Sequence, residues 1–304
     1  EANLVMIKDL HEKYGLITWL DSVIQYFIMI VNFGFNIYAA KYIVENKNKE
    51  TSINEIVSSI FIIKGLLFIL SLICVFLLGC FEMFSAYKTF LLLLMFSGIG
   101  EVLFPVWFFQ GIENLKPATF IVFLTRLFLL TGTIIFVNSQ YNLMAYILLF
   151  VSSSILMGFS GIFYLFKYNN IKIIILPINK LVNYFKEALP FFIGRFLSLV
   201  FNSGTIFFIG KFCLLEQVAG FDTGLKIVML GVIPFEMLQQ AVFPTISRTK
   251  NKSMLKKIVY AALIIGIFVG LIIYSFSDNL MFLFGGDEML EYSPVLKFLS
   301  LLSP

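Results

Sequence analysis

Apolar runs long enough to cross a bilayer recur along this chain with only short polar breaks, and no other feature restricts its fold so strongly. A hydrocarbon core of about 30 Å takes roughly 20 apolar residues as helix. Such runs fall near 16–38, 53–79, 87–110, 116–137, 141–166, 182–210, 216–244 and 255–277, and a further one begins near 292. They are too long and too uniformly apolar for barrel strands, so their backbone groups must be satisfied within helices. The expectation is an all-α polytopic membrane protein with about eight complete spans. Composition agrees: 60% of the 304 residues are hydrophobic and 13% charged, against about a quarter charged in soluble domains.

Several function classes fall away. A net charge of +4 is a weak case for nucleic acid, and no GxxxxGK[ST] loop is present for nucleotide hydrolysis. His11 is the sole histidine, and Cys74, Cys80 and Cys213 lack metal spacing, so no metal or other cofactor is expected. Cys74 and Cys80 read as small core residues. The chain starts at Glu1 with no signal peptide and ends inside an apolar run, so it reads as part of something longer.

Lysine and arginine in short loops set orientation. One alternate set of loops holds Lys41, Lys47, Lys49, Lys116, Lys167, Lys172, Lys180, Lys186, Arg248, Lys250, Lys252, Lys256 and Lys257. The opposite set holds little more than Lys8, Lys13, Lys88 and Lys211 beside several carboxylates, so the basic set is expected to be cytoplasmic. Shifting the chain by about 205 residues brings Gly15 onto Gly220, Asn46-Lys47 onto Asn251-Lys252, and Gly65 onto Gly270. The shift spans an even number of helices, so the two copies share one orientation, a parallel repeat. Two six-helix lobes are expected: 1–166, lacking most of its first span, and 182–304, truncated. Residues 167–181 form a basic cytoplasmic connector between them.

Charges within the spans are Asp21, Lys64, Glu101, Arg126, Arg195, Asp222, Lys226 and Glu236. Each costs about 2.5–3.5 kcal/mol at mid-helix if it faces lipid. They must face one another or a wet cavity. Asp222 and Lys226 have the spacing of an intrahelical pair, and Glu101 could neutralise Lys64 or Arg126. Alternatively, Lys64, Arg126 and Arg195, with Lys226 as a weaker member, line one cavity attractive to a phosphate. Asp21, Glu101 and Glu236 are candidate carboxylates for ion or proton coupling.

The fourth span ends in FPVWFFQGIE, residues 104–113. Pro105 should kink the helix, and Trp107, Phe108 and Phe109 should form an aromatic belt at the headgroups. Gly111 can supply a left-handed helix stop, and Pro117 should begin the next helix. The string PxWFFQGxE, with Pro105, Trp107, Phe108, Phe109, Gln110, Gly111 and Glu113, resembles the signature of bacterial O-antigen repeat-unit flippases of the Wzx type. These belong to the multidrug/oligosaccharidyl-lipid/polysaccharide exporter superfamily. EKYGLITWLDSVIQYFIMIVNFGFNIYAAKYIVENKNK, VAGFDTGLKIVMLGVIPFEMLQQAVFPTIS and LFGGDEMLEYSPVLKFLSLLSP are similar to further stretches of that family.

The resemblance implies a transporter and not an enzyme. It would move undecaprenyl-pyrophosphate-linked oligosaccharide from the cytoplasmic to the periplasmic leaflet of the bacterial inner membrane by alternating access. The lipid bilayer, a polysaccharide polymerase and chain-length machinery would be its partners. Two other readings stay open. A drug/cation antiporter of the same superfamily would want a carboxylate-dominated cavity. A membrane-embedded polymerase or glycosyltransferase would want a large extramembrane loop or a DxD motif, and neither occurs here.

Overall fold

The computed structural model describes residues 2–46, 49–137, 143–169, 171–249 and 252–302. Side chains are described from His11 onward except at 198, 201, 202, 234–249, 252–255, 257, 258, 261 and 302. The helices are α1 Ala2–Asn32, α2 Phe35–Glu45, α3 Glu50–Leu78, α4 Glu82–Ser85, α5 Lys88–Met95, α6 Gly98–Leu103, α7 Val106–Gly111, α8 Lys116–Phe136 and α9 Leu143–Asn169. There follow α10 Ile178–Phe212, α11 Leu215–Thr249, α12 Lys252–Ser275, α13 Ser277–Gly285, a 3-10 segment Asp287–Tyr292, and α14 Ser293–Leu302. No strand occurs among the described residues.

Among the described residues, five stretches are long and apolar enough to cross a membrane: His11–Glu45, Glu50–Leu78, Lys88–Gly111, Lys116–Phe136 and Leu143–Asn169. A sixth results if Ala262–Ser275 and Ser277–Gly285, which meet at 70°, form one broken span. α10 and α11 have 35 residues each. At 1.5 Å per residue each reaches about 50 Å, more than the roughly 30 Å of a hydrocarbon core. α3 and α8 leave Leu66, Ile69, Ile73, Phe120, Phe123 and Ile134 exposed, the surface of a helix solvated by lipid rather than water. The chain is an all-α polytopic membrane protein.

Two compact units divide the described chain, residues 20–207 and residues 1–19 with 208–304. In the 20–207 unit the first span breaks between α1 and α2. Phe33 (φ 38°) and Gly34 (φ 71°) both lie in the left-handed region, which costs a residue with a Cβ about 1–2 kcal/mol. Phe33 is held there by its ring, stacked on Phe185 at 4.0 Å and on Phe192 at 4.5 Å from α10. Gly34 is required twice over. Its φ suits glycine, and a Cβ would come within 2.7 Å of the Phe192 backbone nitrogen.

The fourth span is broken too, into α5, α6 and α7. Phe104, before the proline, is extended (φ −82°, ψ 108°), as crowding by a following proline ring requires. The aromatic belt expected of Trp107, Phe108 and Phe109 is not what forms. The three rings are 0%, 2% and 0% exposed and make the core of this unit with Phe35, Ile43 and Ile60. The break turns α7 inward, so its rings bury against protein instead of facing headgroups. Gly111 is not left-handed; its missing Cβ lets α7 approach Ile43 and the Ala40 carbonyl of α2. Glu113 takes the left-handed position (φ 59°). The bonds Asn114 N–H to Phe109 O and Glu113 N–H to Gln110 O complete the helix stop around it. Pro117 does lie in the first turn of α8.

α6 meets α9 at small residues: Gly158 packs on the Gly100 Cα, and the Ser154 hydroxyl donates to Ser97 O at 2.8 Å. Residues 171–177 are non-helical and hang on one face of α3. Lys172 N–H donates to Asn54 Oδ1 (3.0 Å), Ile174 N–H to Ser58 Oγ (2.9 Å), and Lys180 pairs with Glu55 at 2.9 Å. Cys80 is exposed rather than in the core, because α3 ends at Leu78 and the chain turns out there.

In the unit of residues 1–19 and 208–304, Ala219, Ile227, Ile273, Met281, Met289 and Leu296 form the core. Two glycines matched by the repeat both mark close approach. A Cβ on Gly15 would strike the Leu215 carbonyl oxygen, and one on Gly220 would strike the Tyr292 ring.

Candidate functional site

Polar and charged residues inside an apolar span are costly unless they face one another or water, and α1 lines several on one face. Asp21, Gln25 and Asn32 recur at helical spacing, and Gln25 Nε2 donates to both Asp21 carboxylate oxygens at 3.2 and 3.3 Å. Beside this stripe lies a cavity of about 250 Å³ lined by Gln25, Ile28, Met29, Asn32, Gly34, Arg195 and Leu199. The helix break places it. Gly34 is the N-cap of α2 and has no side-chain cap, so the first N–H groups of α2 lack intrahelical partners. Helix N-termini carry partial positive charge, and Arg195 of α10, which also lines the cavity, adds a full one.

Behind the stripe sits a buried cation. Asn32 Nδ2 donates to Glu101 Oε2 at 3.1 Å. Lys64, 1% exposed, donates from Nζ to the Glu101 backbone carbonyl at 2.8 Å. That carbonyl is free for a reason written in the sequence. Its helical partner four residues on would be the N–H of residue 105, which is Pro105 and has none. The proline thus breaks the fourth span and creates the acceptor that holds Lys64. Glu101 and Arg195 are the charged groups whose fields reach Lys64.

The structure therefore brings Asp21, Lys64, Glu101 and Arg195 into one neighbourhood of the 20–207 unit. Arg126 is exposed on α8 and is not among the residues lining this cavity. The Glu236 side chain lies outside the described residues. Of the motif residues, Gln110 and Glu113 are exposed while Pro105, Trp107, Phe108, Phe109 and Gly111 are buried.

Lys226 lies in the other unit, as part of a clasp between α1 and α11. Its ammonium pairs with Asp222 at 2.7 Å across one helical turn, and the Asp222 side chain is 9% exposed. The Tyr14 hydroxyl donates to Asp222 Oδ2 and accepts from Lys226 Nζ, each at 2.5 Å. The intrahelical pair read from spacing is present; its third member, Tyr14, was not foreseen. Gln25, Asn32 and Gly34 were also missed, although a stripe at positions 21, 25 and 32 in a span is a visible signal of helical period. No cluster of three or more metal-ligating side chains occurs among the described residues.

Comparison with known proteins places this architecture. The family described as polysaccharide biosynthesis protein matches residues 10–250. The chain is 27% identical over 259 residues to a protein of Shigella dysenteriae described as a candidate O-antigen transporter, covering 82% of this chain and 63% of that one. It is 22% identical over 253 residues to a protein of Escherichia coli (strain K12) with the same description, covering 82% of this chain and 60% of that one. The chain thus spans about three fifths of the length of these relatives. No solved structure matches it. The family match takes in the two broken spans of the 20–207 unit, the cavity stripe and the WFFQG turn, and the chain belongs to the polysaccharide biosynthesis protein family.

Proposed function

We propose that this chain is the greater part of a flippase for undecaprenyl-pyrophosphate-linked oligosaccharide, moving it from the cytoplasmic to the periplasmic leaflet by alternating access. The observation that carries the reading is the cavity between Arg195 and the uncapped start of α2, with Lys64 buried behind it. A pyrophosphate needs such a place within the bilayer: a guanidinium for paired hydrogen bonds, helix N–H groups, and amides such as Gln25 and Asn32. The lipid tail stays among acyl chains, so only the headgroup and sugars need a polar path. The naming of both relatives for O-antigen transport supports the same substrate class.

No covalent step enters this mechanism, so the protein acts as a transporter and not as an enzyme. Asp21 and Glu101, which accept hydrogen bonds from the cavity-lining Gln25 and Asn32, are the carboxylates we assign to ion coupling; Glu236 remains a third candidate. The lobes at 1–166 and 182–304, the basic cytoplasmic loops and the inner-membrane location complete the reading. A cytoplasmic face rich in lysine suits delivery of an anionic headgroup.

The test is export. A hydrogen bond to a charged partner contributes about 1.5–3 kcal/mol, roughly 10- to 150-fold in affinity. Arg195→Ala in the full-length protein should therefore reduce surface polysaccharide by at least tenfold at normal membrane abundance. Arg126→Ala tests the second arginine of the proposed path. Export that survives removal of both arginines sinks the cationic path.

A further inference from the structure

We propose that the segment joining α9 to α10, residues 171–177, is an anchor set into one leaflet of the membrane, with Ile173 and Ile175 among acyl chains and Lys167 and Lys172 on anionic phospholipid headgroups. The inference needs only that the chain crosses a membrane and does not depend on what it transports. The segment alternates. Ile171 and Leu176 pack onto the core of the 20–207 unit, while Ile173 is 54% and Ile175 94% exposed. Isoleucine is among the side chains most often buried away from water, so two that face outward call for an apolar solvent.

Depth is set by α3, to which the segment is bound. Past Glu55, α3 carries no charge from Ile56 to Leu78 except the buried Lys64, so the start of that run marks the boundary between headgroups and hydrocarbon. Lys172 N–H donates to Asn54 Oδ1, just outside the boundary, and Ile174 N–H donates to Ser58 Oγ, about 3 Å inside it. Ile173 and Ile175 flank Ile174 and share its level. Non-helical backbone is tolerated at such depth only where protein satisfies its polar groups, and these two bonds do so. Lys180, paired with Glu55 at 2.9 Å, returns the chain to headgroup level.

Lipid fits this tip better than a protein partner does. Phe159, Phe163 and Phe166 are exposed along the last turns of α9, so the lipid-facing surface of that helix leads directly to the segment. Protein interfaces are anchored by aromatic and arginine side chains in well-packed pockets; Ile175, with almost nothing packed against it, lies in no pocket. Charge then selects the lipid. Lys167, at the end of α9, stands over the Phe163 and Tyr168 rings at 5.3 and 5.4 Å. Neither Lys167 nor Lys172 forms an ion pair among the described residues, and both are exposed. Lysines beside an apolar insertion draw anionic headgroups.

The experiment places a bimane fluorophore at Ile175→Cys in the full-length protein, with its other cysteines replaced by serine, in phosphatidylcholine nanodiscs. So exposed a side chain can be exchanged without loss of packing. Three quenchers are compared: iodide in the water, and phosphatidylcholine or phosphatidylglycerol brominated near the top of the acyl chain, at equal mole fraction. Both brominated lipids should quench, phosphatidylglycerol more strongly, and iodide should quench far less than at a Glu50→Cys control at the exposed start of α3. A lysine near an anionic surface is worth about fivefold in lipid affinity. Lys167→Gln and Lys172→Gln should therefore each lower the phosphatidylglycerol excess several-fold and leave quenching by brominated phosphatidylcholine unchanged. Iodide quenching equal to the control would put Ile175 in water, and protection from all three quenchers would mean that protein covers it; either result overturns the proposal. So does equal quenching by the two brominated lipids, or an excess that survives in both lysine variants.

Discussion

The bond from Lys64 to the Glu101 carbonyl makes a quantitative prediction, because its existence is tied to a third residue, Pro105. Pro105 has no N–H, so the carbonyl four residues back is orphaned and the 2.8 Å bond from Lys64 Nζ fills it. Lys64→Met removes the donor. It leaves the carbonyl unpaired, at about 1–3 kcal/mol, and takes the compensating cation from Glu101, which raises the total to about 3–5 kcal/mol. Pro105→Ala supplies an N–H at the position where a helix would use it. In the double variant the carbonyl regains a partner from its own chain, and only the loss of the cation remains. The two substitutions should therefore be non-additive, the double variant being about 1–3 kcal/mol more stable than the sum of the singles. Reversible unfolding in mixed micelles titrated with SDS measures all four corners of the cycle. Additivity within about 0.5 kcal/mol would show that the proline does not create the lysine's acceptor, and the account of the site would fail.

Three further outcomes follow from single positions. Gly34→Ala should cost more than about 3 kcal/mol, or prevent folding, because a Cβ meets the Phe191 and Phe192 backbone below 3 Å at a φ of 71°; the same unfolding titration reads it, and a loss below 1 kcal/mol would count against the helix break. Glu113→Gly should raise stability by up to about 1–2 kcal/mol by relieving a left-handed non-glycine; a net loss would mean that the glutamate side chain contributes more than its backbone strain costs. Tyr14→Phe removes two hydrogen bonds of the Asp222–Lys226 clasp while keeping the ring, and should cost about 1–3 kcal/mol; no change would show that the ion pair alone holds Lys226.

Several features were legible because they are one-dimensional. Runs of roughly 20 apolar residues mean helices in a bilayer whatever they pack against. The i, i+4 spacing of Asp222 and Lys226 fixes their proximity on any helix, and Pro105 breaks a helix wherever it sits. Even the Tyr14 partner and the Asp21–Gln25–Asn32 stripe leave marks of period, though choosing them among many such residues needs a neighbour to be known.

What the chain alone determined, then, was that it is built of membrane helices, that Pro105 must break one of them and which charges had to find partners. Only the tertiary structure decided that Trp107, Phe108 and Phe109 form a core and not a headgroup belt, that Glu113 and not Gly111 turns left-handed, and that Lys64 and Arg195 share a neighbourhood while Arg126 stands exposed on α8. The reason is rotational. In a helix that is apolar on every side, hydrophobic periodicity carries no information about which face turns inward, so facing is settled by contacts between helices: a missing Cβ, a stacked ring, or a carbonyl left open by a proline on another helix.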